Sequence, residues 1–253
     1  MHKRLTMLTL LLLTAVLMLP CLSACAECPV ELSAPLTGVY SWPEGSSEEE
    51  ALYLYRYCYP QVDGAEELAA QINSTYLYAA EDALGFEVPM LASAMQPGDP
   101  RKIVDISHTV TYMGEEYLSV TITKRVITGG TETIVVSGHV FALTGSGAGR
   151  IVSLPVFMGI LDPEETDDWY MNRQTRKADD LVRGLVWADI QASDLCYDDL
   201  TFEELEASFY PEEDFFLTQN GDVCFYFQPG LIAPEEEGLM TFSYPLWLLL
   251  DEM

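Results

Sequence analysis

The region from Lys102 to Leu143 does most to limit the fold. Polar and apolar residues alternate through Lys102 to Tyr112, Tyr117 to Ile127 and Thr131 to Leu143. A period of two sends successive side chains to opposite faces of a strand. The links, Met113-Gly114-Glu115-Glu116 and Thr128-Gly129-Gly130, are short and turn-forming. The three runs therefore predict an antiparallel meander. Thr144-Gly145-Ser146-Gly147-Ala148-Gly149 then turns the chain toward Ile151-Val152. Its glycines lack the Gly-Lys-Ser/Thr ending and following helix of a phosphate loop, so it reads as a hairpin loop.

The flanks supply other elements. In 51–59, Tyr53, Tyr55, Tyr57 and Tyr59 share one strand face, read as a half-buried sheet face against a helix. Residues 64–84 predict that helix, with a stripe of Leu68, Ile72, Tyr76, Ala79 and Ala83 and a stop at Gly85. Beyond residue 155, Ala178 to Ile190 predicts a helix with Leu181, Leu185, Val186 and Ile190 on one side. Thr201 and Glu204 form a capping box. Phe215-Phe216-Leu217 and Val223 to Phe227 flank Asn220-Gly221, a strong hairpin signal. A strand over Leu239 to Tyr244 and a short terminal helix after Pro245 complete the chain. The fold class is α+β: an antiparallel meander packed with helices, in two intimately associated halves, 51–150 and 151–253.

Residues 1–25 are an export signal. Lys3 and Arg4 precede an apolar run from Leu5 to Pro20, and Leu22-Ser23-Ala24-Cys25 closes it. The ending resembles a bacterial lipobox with Cys25 as the lipidated residue; ordinary cleavage after Ala26 is the alternative. The apolar run is shorter than the ~20 residues of a membrane span, so the membrane is expected to be met only through a lipid anchor. Residues 26–50 read as a linker, turn-rich and charged in Ser41-Trp42-Pro43-Glu44-Gly45-Ser46-Ser47-Glu48-Glu49-Glu50. Export permits disulfides among Cys28, Cys58, Cys196 and Cys224. Four cysteines allow three connectivities; free thiols are one reading, and a Cys58–Cys224 bridge between two strand-like runs is the other.

The net charge is -28, and Lys3 and Arg4 leave with the signal. Such a chain repels nucleic acid. It attracts cationic partners with a strong salt dependence, although acidity also serves solubility. The carboxylates of Glu212, Glu213, Asp214, Glu235, Glu236 and Glu237 are the candidate partner-binding face.

No trustworthy catalytic motif is present, so no catalytic residue is assigned. His108 and His139 fall on different meander strands and read as satisfied sheet histidines. A triad drawn from them with Ser107 or Ser137 and Asp105 lacks a nucleophile elbow. The run Asp162 to Asp168 invites calcium but lacks EF-hand spacing. No metal and no cofactor is expected.

Certain stretches resemble a known family. Tyr59-Pro60-Gln61, followed by Ile72-Asn73, resembles the start of the extracellular domain shared by the PdaC and RsiV proteins. Phe141-Ala142-Leu143-Thr144-Gly145 resembles its mid-domain turn. The closing run of Phe216-Leu217, Gly221, Phe225-Tyr226-Phe227, Ile232-Ala233-Pro234, Gly238 and Ser243-Tyr244 resembles the domain-of-unknown-function family 3298. The likeness spans 51–250, with a PdaC-like half before residue 150 and a family-3298-like half after it. It implies an extracytoplasmic α+β domain. In one branch such a domain precedes a deacetylase acting on peptidoglycan; in another it is the sensor half of an anti-sigma factor and binds lysozyme. The chain departs from the family pattern where Thr131-Glu132 follows Gly129-Gly130 and where Glu235-Glu236-Glu237 follows Pro234.

Two functions are expected from this. The first is a non-enzymatic, surface-tethered binding or sensing domain that captures a basic protein, such as lysozyme, or a cationic peptide. The second is a cell-wall-active hydrolase or deacetylase-associated domain.

Overall fold

The computed structural model describes residues 28–251; the signal and Cys25 lie outside them. The segment read as a linker, 26–50, carries two strands in its first part. β1 (Val30–Leu32) and β2 (Leu36–Trp42) precede β3 (Tyr53–Tyr59) and β4 (Val62–Gly64). β1 pairs with β4, and β2 pairs along the whole of β3, both antiparallel. The reason is apolar content before residue 43: Val30 is buried, and Leu36, Tyr40 and Trp42 pack against the core. Turn chemistry governs only 43–50, where Ser46 N–H donates to the Pro43 carbonyl at 3.1 Å. Gly38 seats the Tyr57 ring, which a Cβ there would meet at 2.4 Å.

The tyrosine row is confirmed as a sheet face. Rings of Tyr55, Tyr57 and Tyr59 follow one another at 5.9 and 5.8 Å, and Tyr59 stacks on Tyr76 at 5.5 Å. Tyr76 belongs to α1 (Glu66–Asp82), which buries Ala69, Ile72, Tyr76 and Ala80. Gly85 does not end the helix. A π turn over Ala83–Glu87 leads straight into α2 (Val88–Ser93). The wider turn lets Val88 N–H reach back to the Ala83 carbonyl just before Pro89, which has no N–H to give. It also brings Val88 and Ala92 into the core. Asn73 on α1 bonds both main-chain groups of Val62, at 2.9 and 2.8 Å, tying helix to strand.

The meander follows as β5 (Lys102–Met113), β6 (Tyr117–Thr128) and β7 (Thr131–Ala142), antiparallel throughout. β5 also pairs parallel with β3, giving one sheet in the order β2-β3-β5-β6-β7. The helical passage α1–α2 is the crossover that such a parallel pair requires. Cys28 sits beside the β5–β6 hairpin at Tyr112–Tyr117.

The second half contributes α3 (Leu154–Phe157), α4 (Asp168–Gln191) and α5 (Phe202–Ser208), then β8 (Phe215–Leu217), β9 (Val223–Phe227), β10 (Met240–Tyr244) and α6 (Leu246–Asp251). α4 starts ten residues before the expected Ala178, where Asp167 caps it by accepting from Trp169 and Tyr170 N–H. Its buried stripe is Ala178, Val182, Val186 and Ile190, while Leu181 and Leu185 lie at its border. The capping box of Thr201 and Glu204 and the hairpin at Asn220-Gly221 are both formed.

Two cores meet at β7. Phe141 joins the core under α1, whereas Val140 and Ala142 join the core made by α4 and the sheet β10-β9-β8. Alternating strand faces thereby serve both halves. No helix among the described residues is long and apolar enough to cross a membrane.

Candidate functional site

Where the halves meet, a groove of about 550 Å³ opens beside β7. One wall is Val135 to Val140, the other Ile151 to Ser153 and Glu212 to Phe215, with Tyr226 and Gln228 between. Gly138 makes the approach feasible, since a Cβ there would lie 2.0 Å from the Phe215 carbonyl oxygen. Its N–H donates instead to Tyr226 Oη at 2.9 Å. Val136 N–H donates to Gln228 Oε1 at 2.9 Å, and Gln228 Nε2 donates to the Val136 carbonyl at 2.7 Å. Deeper in, Leu217 N–H donates to the buried Ser119 Oγ at 2.9 Å.

Glu212, Glu213 and Asp214 supply the groove's carboxylates, and no lysine or arginine lines it. Asp214 Oδ2 accepts from Tyr210 N–H at 2.9 Å; burial still pushes its carboxyl above the usual range. Glu212 is held by its own carbonyl, which accepts from Leu154 N–H at 3.1 Å. Its Oε2 is buried without a hydrogen-bond partner, and so is Oδ1 of Asp179 on α4. Burial first, then the neighbouring Glu212 carboxyl, push Asp179 up to about 7 against the pull of Arg183. Arg183 Nη2 stands 3.8 Å from Asp179 Oδ2 and donates to the Phe209 carbonyl at 3.0 Å. The Asp179 carboxyl therefore keeps its proton to a higher pH than an ordinary carboxylate does. His139 lines the groove too, with Nδ1 3.2 Å from Tyr76 Oη, and burial lowers its pKa toward the neutral ring.

The candidate acids are thus divided. Glu212, Glu213 and Asp214 converge on the groove, whereas Glu235–Glu237 form an exposed 3-10 turn that does not line it. The Cys58–Cys224 bridge is absent, and Cys28, Cys58, Cys196 and Cys224 are free. Cys58 lies on β3, its Sγ 3.9 Å from His108 Nδ1, and Cys224 lies on β9 of the other sheet. Strand character placed both in sheets but says nothing of which sheet. His108 is satisfied by the Cys58 carbonyl at 2.8 Å. Of the acidic run from Asp162 to Asp168, Asp162 and Glu165 accept main-chain N–H groups in turns and Asp167 caps α4. Among the described residues no group of three or more His, Cys, Asp and Glu is placed to hold a metal.

Sequence reasoning missed Tyr226 and Gln228 as groove-building residues, and Asp179 as the buried neighbour of Glu212. Asp179 had a signal, because it precedes Val182 and Val186 by three and seven positions on the buried stripe. Tyr226 had none beyond its strand, and Gln228, just past the end of β9, had none.

The architecture has relatives among solved structures. A crystal structure of a DUF3298 family member from Bacteroides fragilis NCTC 9343 superposes with a TM-score of 0.52, covering 87% of this chain and 91% of that one at 16% identity. A DUF3298 family protein from Pseudomonas aeruginosa PAO1 gives 0.51, with 90% and 94% covered at 12% identity. The fold is DUF3298-like. No protein-family model matches the sequence, and no curated protein matches it. The DUF3298-like fold spans both halves, so the groove at their junction lies within the shared architecture.

Proposed function

We propose that the chain is a non-enzymatic binding or sensing domain of the bacterial cell envelope, tethered through lipid on Cys25, that captures a basic protein or cationic peptide in the groove beside β7. The observation that carries this reading is the groove's one-signed wall: Glu212, Glu213 and Asp214 with no basic residue among its lining. A chain of net charge -28 adds a long-range field that draws cations inward. The resemblance to RsiV makes lysozyme, a compact basic protein, the first partner to try. Calorimetric titration with lysozyme at low and high salt tests it. Binding at low salt that fades at high salt, and weakens in Glu213→Gln/Asp214→Asn, supports the reading. No heat at low salt removes lysozyme.

A second reading, a wall-active hydrolase, draws on the Asp179–Glu212 carboxyl pair, because a raised carboxyl beside a groove is what acid catalysis employs. Asp179 itself does not line the groove, which favours the binding reading. Incubation with peptidoglycan and analysis for released sugar or acetate separates the two.

A further inference from the structure

The outward edge of β7 is half used. Register and hydrogen bonds show that its even-numbered residues turn their main-chain groups away from β6. Val136 bonds to Gln228, Gly138 to Tyr226, and the Val140 carbonyl accepts from Val152 N–H at 2.8 Å. Glu132 and Ile134 continue the same series toward the Gly129-Gly130 turn. Among the described residues, nothing bonds to their outward N–H or carbonyl groups. The whole stretch Thr131 to Val135 is exposed, Ile134 and Val135 being 37% and 43% so. The open stretch is Thr-Glu-Thr-Ile-Val, rich in β-branched residues and free of proline, lysine and bulges. Proline, lysine and bulges are among the devices that normally blunt an edge strand; the one charge in the stretch, Glu132, is paired with Arg125 on β6.

The Gln228 carboxamide reproduces what an added strand would do. It donates to and accepts from one edge residue at once, so the edge has ladder geometry up to Val136 and simply lacks its next rungs. We propose that the β7 edge from Thr131 to Val135 takes an extended cationic segment of a partner protein as a sixth strand, running on into the acidic groove. This rests on the capture reading above and gives its mode. Main-chain bonds to Glu132 and Ile134 supply sequence-tolerant affinity, as in other strand additions. Lysine or arginine side chains beyond Val135 meet Glu212, Glu213 and Asp214. Charge selects this occupant over a second copy of the chain, because two bodies of -28 repel each other.

The probe is an eight-residue peptide of alternating lysine and valine, with a counterpart methylated on every backbone nitrogen. Both carry the same charge, but only the first can form a ladder. The first is expected to bind the purified protein at low salt, and the methylated one at least tenfold more weakly. The Glu132 and Ile134 amides are expected to exchange more slowly once the first peptide is added. Ile134→Pro removes an outward donor without touching the pairing to β6, and is expected to weaken the first peptide to the level of the second. Equal binding of both peptides overturns strand addition and leaves acidic capture standing. Binding of neither overturns capture as well. Unchanged amide exchange at Glu132 and Ile134 overturns strand addition even if Ile134→Pro fails to fold. A dimer in sedimentation that Ile134→Pro dissolves assigns the edge to a second copy and overturns the proposal.

Discussion

Gly138 and the Phe215 carbonyl lie so close that a methyl group at residue 138 would approach the oxygen to 2.0 Å. Backbone, not a yielding side chain, forms that contact, so β7 and β8 are locked at a spacing only glycine permits. Gly138→Ala is expected to cost about 1–3 kcal/mol or more, in line with overpacking elsewhere. Urea titration should show a lower midpoint. An unchanged midpoint would mean that the two sheets can part freely.

Ser119 offers a polar counterpart. It is fully buried, and its Oγ receives both Leu217 N–H and Thr111 Oγ1 at 2.9 Å. Ser119→Ala strands a buried N–H, for which about 1–3 kcal/mol is expected. Thermal melts should register this, while a Ser119→Thr control retains the acceptor at the expense of one extra methyl.

The buried acid pair sets a pH signature. Asp179 titrates near 7 when folded and in the ordinary carboxylate range when unfolded. Between about pH 4 and 7 the folded state thus holds a proton that the unfolded state has released. Its contribution to stability is complete below that interval and is lost as pH rises through it. Asp179→Asn removes the titration, so the melting temperature of the variant minus that of the parent should grow from about pH 4 to 7 and level off above. A difference independent of pH would refute the assignment.

The thiols make a chemical prediction. With Cys28, Cys58, Cys196 and Cys224 unpaired, alkylation in denaturant without reductant should add four labels to a chain cleaved before residue 28. Dithiothreitol should leave the melting temperature unchanged. Two labels instead of four would reveal a bridge.

The local physics of the fold was readable in the sequence. The meander ends within one residue of its expected bounds because alternation and glycine turns act over neighbouring positions. The Thr201 box and the Asn220-Gly221 hairpin are equally local. Long-range pairing was not readable. β2 was hidden because a half-buried strand beside Ser41-Trp42-Pro43 has weak alternation and a conspicuous turn at its end. The parallel β3–β5 junction depends on a crossover that no single window displays. The groove was legible only as Glu212-Glu213-Asp214; the contribution of Gln228 needs β7 beside it. Glu235–Glu237 looked equivalent in composition and differ only in location.

The early strands alter where such a domain would stand on its membrane. With β1 already paired at Val30, a lipid on Cys25 is joined to Cys28 by three peptide units, about 10 Å at full stretch. Cys28 rests beside the β5–β6 hairpin. The uncovered end of β7 is at the opposite end of β6, where Thr131 faces Thr128, about 35 Å away at the usual rise of a strand. Were the lipid proposed for Cys25 in place, the long meander would serve as a mast, with the tip beside Cys28 near the bilayer and the uncovered end of β7 held away from the headgroups.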